Sequence, residues 1–178
     1  MNRVAVAVVV ALACLGLARS ARADEAQLGT ALEFGTSFLG TDGFVDVSPQ
    51  LWLSAGPWQL GLGAPLRLRV LDGEPRGGCK TPGLRCEDWD ETGDYGRILR
   101  HLDYGGWSGD INVHVGDLTG VSLGHGELVY RYYNNWQFDS WHTGVLVDIQ
   151  KPDFGLSVLS NDVLRWDLMA VRAWGRPV

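Results

Sequence analysis

From Trp58 to Val70 the chain alternates without a break. Trp58, Leu60, Leu62, Ala64, Leu66, Leu68 and Val70 are apolar, whereas Gln59, Gly61, Gly63, Pro65, Arg67 and Arg69 are polar, small or proline. Successive side chains of a strand point to opposite faces, so this period of two predicts a strand with one apolar and one polar face. The same pattern recurs along the chain. Leu28, Leu32, Phe34 and Phe38 alternate with Gly29, Glu33, Gly35 and Ser37, and Val45, Val47, Leu51 and Leu53 with Asp46, Ser48 and Gln50. Further runs start at Ile111, Leu128, Val145, Phe154 and Trp166. Turn signals separate them at Gly40–Gly43, Ala55–Pro57, Gly105–Gly106, Asp117–Gly120, Asn134–Asn135, Lys151–Asp153 and Asn161–Asp162. The 24 glycines suit a chain with this many turns. The reading is all-β, an antiparallel meander of about eight strands.

The first residues have another purpose. Arg3 precedes an uncharged run from Val4 to Ala18, and Ala21-Arg22-Ala23 is a small-residue cleavage site followed by Asp24-Glu25. That order is a secretory signal peptide. The run is shorter than the roughly 20 residues of a spanning helix. The expected organisation is a signal peptide over 1–23 and one β domain over 24–178. Cleavage removes three arginines and no acid, leaving a chain more acidic than its formal charge of -6. Such a balance argues against nucleic acid as a partner. Cys14 leaves with the signal, so Cys79 and Cys86 remain. Two cysteines flanking Pro82-Gly83 in an exported chain are expected to form one disulfide. The surrounding segment, Asp72 to Asp94, holds Glu87, Asp88, Asp90 and Glu91 and is read as a solvated surface loop.

A meander with alternating strands has two closed forms. A soluble barrel or sandwich turns its apolar face inward, and a membrane barrel turns it toward lipid around a polar lumen. The Trp58–Val70 run exceeds the 9 to 11 residues a tilted spanning strand needs. Aromatics stand near run ends at Phe44, Trp58, Trp107, Trp136, Trp166 and Trp174. These features favour the membrane form, complete or incomplete as a barrel. Pro65 stands against it, because proline removes a ladder hydrogen bond. So does a chain end reading Trp174-Gly175-Arg176-Pro177-Val178. In the membrane form Glu33, Asp46, Arg67, Arg69, His125, Glu127, Arg131 and Asp148 would line one interior polar network, each lying on the polar side of its run.

Catalytic patterns are sparse. His125 and Glu127 share a face if extended, but they lack a third convergent group. His101 with Asp103 and His114 with Asp117 lie on separate runs, without metal-ligand spacing. Ser122, Ser140 and Ser157 lack a nucleophile elbow. The acidic cluster does not match an EF-hand loop. The aromatic run Tyr130–Trp136 could stack on a sugar, but is read first as an interfacial aromatic belt or a strand end. No cofactor and no catalytic residue are expected.

Gly93-Asp94-Tyr95-Gly96-Arg97-Ile98-Leu99-Arg100 through Tyr104-Gly105, with Leu123-Gly124-His125-Gly126 and Arg131-Tyr132-Tyr133-Asn134, resembles a set of uncharacterised outer-membrane β-barrel proteins of myxobacteria and related Gram-negative bacteria. The resemblance runs from about Leu66 to Val171. It implies a barrel in the outer membrane with lipid as its partner. It implies no activity and carries over no functional residues. The competing expectation is a soluble periplasmic barrel or sandwich that binds a small ligand or glycan.

Overall fold

The computed structural model describes residues 26–73, 83–106, 109–137 and 139–176. The expected signal peptide, Cys79 and Trp107 lie outside them. The chain is antiparallel β. β1 (Gln27–Leu39) and β2 (Asp42–Ala55) form a long hairpin closed by Gly40-Thr41. The Trp58–Val70 run is two strands, β3 (Trp58–Gly63) and β4 (Leu66–Leu71), both paired to β2. The break falls at Ala64-Pro65, where the proline cannot donate to a ladder, and the alternation keeps its phase across it. β5 (Leu99–Tyr104), β6 (Ile111–Gly116), β9 (Gly144–Gln150), β10 (Phe154–Ser160) and β11 (Met169–Gly175) complete the main sheet. β7 (Thr119–Val121) and β8 (Tyr132–Tyr133) pair apart from it.

The sheet order is β1-β2-β3-β5-β6-β9-β10-β11, with β4 beside β2. Counting β3 and β4 as one, the described residues make eight passes. The expected closure is not made, because β1 and β11 are its two edges. A barrel needs strand length, tilt and stagger to agree around the ring. Here β1 has 13 residues and β11 has 7, so β11 can satisfy only part of the β1 edge.

The two ends of the strands differ. At one end the connections are Gly56-Pro57, residues 105–110 and residues 151–153. At the other lie the long segments 72–98, 117–143 and 161–168, beside the tight Gly40-Thr41 turn.

The registers assign the paired strand residues to one face or the other. Directly opposite residues share a face, so Phe34 lies with Val47 and Leu66, and Leu53 with Leu60 and Leu102. The row continues through Val115 and Val145, and through Val147, Val158 and Val171. From β1 to β11 this outer face holds no acidic or basic side chain. One residue would break the rule. Arg100 has the parity of Leu102, but the pairing of β3 with β5 shifts register between Gly61 and Leu62. The irregularity re-aims Arg100 inward, where its guanidinium lies 5.6 Å from the centre of the Trp141 ring.

Nothing among the described residues covers the outer face. Phe34 and Phe38 are each 71% exposed and Val171 53%. The buried hydrophobic residues are Phe44, Leu118, Leu123 and Leu159, all on the inner side. Leu118, Leu123 and Leu159 form a small core with Val121, Val129, Tyr132, Leu146 and Ala170. Two glycines are required by inward indoles. A Cβ on Gly29 would stand 2.0 Å from Trp52 Nε1, and one on Gly155 2.1 Å from Trp174 Nε1.

The expected run through Leu128, Tyr130 and Tyr132 is mostly turn. Gly124 and Gly126 adopt positive φ, as does Arg131 at 48°, and only Tyr132–Tyr133 stay extended. The last strand starts at Met169, not at Trp166.

Candidate functional site: the polar inner face

Two segments fold against the inner face. After the turn at Gly83, residues 83–85 run along β4. The Arg69 amide donates to Gly83 O (2.5 Å), the Arg85 amide to Arg67 O (2.8 Å), and Leu84 bridges Leu68. The chain then turns inward through two 3-10 helices, Cys86–Asp88 and Thr92–Ile98. The second is held by a capping box in which Asp94 accepts the Glu91 amide at 2.9 Å.

Asp88 is the hub of this segment. Its side chain is fully buried, and its Oδ1 receives Arg85 (2.5 Å), Arg67 (2.6 Å) and Arg97 (3.1 Å). Arg97 also donates to the fully buried Asp94 at 3.2 Å. Arg67 reaches Asp46 on β2 at 3.6 Å, and Arg69 pairs with Asp42 (3.5 Å) and Glu87 (3.8 Å). A guanidinium can bridge two carboxylates at fixed geometry, which suits Arg to this role. Burial works against the Arg85 cation, but hydrogen bonds and charge from Asp139 and Asp88 outweigh it and raise its pKa. The expected solvated loop is therefore corrected for Asp88 and for Asp94 at its end, while Asp90 and Glu91 are exposed as expected. Asp88 and Asp94 are buried because partners 21 and 9 residues from Asp88 converge on it.

The second segment, 117–143, is held by Asn134. Its Oδ1 accepts the Leu118 amide at 2.8 Å, and its Nδ2 donates to His142 O (2.8 Å), Gly116 O (3.3 Å) and Asn161 O (3.3 Å). Asn135 accepts the His142 amide at 2.7 Å and donates to Asp117 at 2.9 Å. His142 Nδ1 lies 3.0 Å from Asp162, which also accepts the Leu164 amide at 2.8 Å. Buried backbone groups of a loop need such partners, and two adjacent amides supply them here.

A third group lies lower on the wall. His114 Nδ1 is 2.5 Å from Asp103 and its Nε2 3.1 Å from Asp117 O. Ser157 donates to Asp148 at 2.6 Å.

The sequence-predicted residues thus fall into separate places. Arg67 and Asp46 meet, and Arg69 joins the same corner through Asp42 and Glu87. Asp148 pairs elsewhere, with Ser157. Glu33 is exposed on the inner side of β1. His125, Glu127 and Arg131 are exposed in the 124–131 turn, and the Arg131 amide donates to Ser122 Oγ at 2.9 Å. Cys79 lies outside the described residues, so its bond to Cys86 stays a proposal.

Sequence reasoning missed Asp88, Asp94, Arg97 and Asn134. The available signal was spacing: Arg85 three before Asp88, and Arg97 three after Asp94. Near Arg69 and Arg85 a cleft of about 420 Å³ opens beside Asp42, Glu87 and Trp136. Its charges are already paired with one another. The inner face is thus suited to holding segments of the chain in place, and the polar groups around Asp88 and Asn134 are occupied in doing so. Comparison with protein-family models, curated proteins and solved structures found no match.

Proposed function

We propose that this protein is an exported outer-membrane β-barrel protein whose outer face meets lipid and whose inner face is filled by its own segments. Its role is structural, adhesive or that of a narrow, plugged pore, and no catalytic role is inferred. The observation that carries this reading is the eight-pass outer face without an acidic or basic side chain, left uncovered while the polar face is packed. Water-soluble sheets place these faces the other way round. Short connections at one end and long segments at the other also fit outer-membrane barrels. Residues 1–23 serve as the cleaved signal, and Cys79 bonds Cys86 outside the wall. The resemblance to the myxobacterial barrels points the same way.

Fractionation tests the reading. The protein should stay in the outer-membrane pellet after a carbonate wash and migrate differently on gels before and after heating. Release into the wash would contradict it. In planar bilayers little or no steady conductance is expected, because two segments occupy the inner face. A large, stable ohmic pore would contradict the plugged form. Without reductant, the mature mass should be lower than the reduced mass by two hydrogens.

A second reading is favoured by one observation. β5, β6, β9, β10 and β11 have 6 or 7 residues, below the roughly 9 to 11 of a tilted spanning strand. On that reading the protein is a soluble periplasmic β protein that binds a small ligand or glycan in the cleft beside Trp136. The carbonate wash separates the two.

A further inference from the structure

Both sheet edges present unpaired backbone groups. In lipid such groups cost several kcal/mol each, so an edge must be joined to another strand. β1 and β11 run antiparallel in the sheet. Joining them edge to edge keeps the outer face continuous. Pairing β1 with a second β1 in the same membrane would turn one sheet over and put its polar face into lipid. β11 is therefore the edge that matches β1 in direction and face, and it covers 7 of the 13 residues of β1.

Charge fixes the register. Glu33 is the one charged inward residue of β1, and Arg172 the one charged inward residue of β11. No ion pair of either is found among the described residues. Placing Arg172 opposite Glu33 sets Val171 against Phe34 and Ala173 against Leu32 on the outer face. Every apolar residue then keeps its side, as the period of two demands.

The partner edge belongs to a second copy. An eight-stranded barrel has an interior just wide enough for side chains, whereas about sixteen strands enclose an open lumen. Here residues 86–98 and 117–137 place main chain, two 3-10 helices and a small core against the inner face. Eight passes closed on themselves would have to expel them. We propose that two copies join β1 to β11 at both seams, forming a sixteen-pass wall around the four inner segments, with Glu33–Arg172 pairs marking each seam. This inference rests on the membrane reading.

The test uses Leu32→Cys and Ala173→Cys as single variants co-expressed in one outer membrane, and as a double variant. Oxidation of carbonate-washed membranes with copper phenanthroline should link the two singles into a dimer on non-reducing gels. Co-expressed wild type and either single should give no such band. Glu33→Arg placed in the Leu32→Cys chain should abolish the dimer, and Arg172→Glu in its partner should restore it. A cross-link confined to the double variant at monomer mass would show closure within one chain and overturn the second copy. No cross-link in pelleted protein would overturn the seam while leaving the membrane reading standing. Protein released into the wash would overturn both.

Discussion

The outer and inner faces of this sheet are built from the same strands and follow opposite rules. The outer face is apolar and bare, with Phe34 and Phe38 each 71% exposed. The inner face carries Asp46, Arg67, Asp103, His114 and Asp148, and segments of the chain cover it. In water the sheet would bury its valines and leucines first, since apolar area removed from solvent is the main favourable term in folding. Here the buried side chains include a carboxylate hub and a three-leucine core. Among the described residues, burial and pairing are concentrated on the inner side, and the outer side stays bare, which is what the proposed lipid-facing wall requires.

The largest effect should come from the inner face. Asp88→Ala leaves Arg85 and Arg97 without their shared carboxylate in a buried corner. Breaking a buried ion pair from one side costs about 3–5 kcal/mol. Urea unfolding in detergent or liposomes measures this, and a loss below about 1 kcal/mol would mean the hub is solvated. On the outer face, Leu62→Arg should cost about 2–4 kcal/mol if Leu62 lies near the bilayer midplane. Folding into liposomes should slow or fail, while Leu62→Val assembles normally. Unchanged assembly of the arginine variant would erase the contrast between the faces. Asn134→Ala should cost about 1–3 kcal/mol, the penalty of orphaned buried polar groups. Amide exchange should rise at Leu118 and leave β1 and β2 unaffected. The smallest effect belongs to His125→Ala, an exposed turn position expected to shift stability by no more than about 0.5 kcal/mol.

Much of the sheet was legible because a strand's side-chain period is two. The runs at Leu28, Val45, Trp58, Ile111, Val145 and Phe154 each became strands in the expected phase. The split of the Trp58–Val70 run into two strands was not expected: by sequence Pro65 counts only against the membrane form, and in the structure it interrupts the ladder because it has no N–H to donate. The inner site was less legible. Asp88 looked like one acid among several, and its burial depends on Arg67 at a separation of 21 residues, which no local pattern carries. The aromatic run at Leu128–Tyr132 reads as a strand in composition, yet the backbone at Gly124, Gly126 and Arg131 turns it into a packed loop. Closure was illegible because it depends on strand lengths, and β5 to β11 are cut short by the segments that fold inward.

The proposed contact of the outer face with lipid can be tested residue by residue along β2. Nitroxide labels placed singly from Val45 to Leu53, in protein reconstituted into liposomes, report collisions with oxygen, which concentrates in hydrocarbon, and with a water-soluble nickel complex. Oxygen accessibility should peak at Val45, Val47, Leu51 and Leu53 and fall at Asp46, Ser48, Gln50 and Trp52, with a period of two. Flat accessibility, or nickel accessibility that peaks at the valines and leucines, would contradict a lipid-facing outer wall.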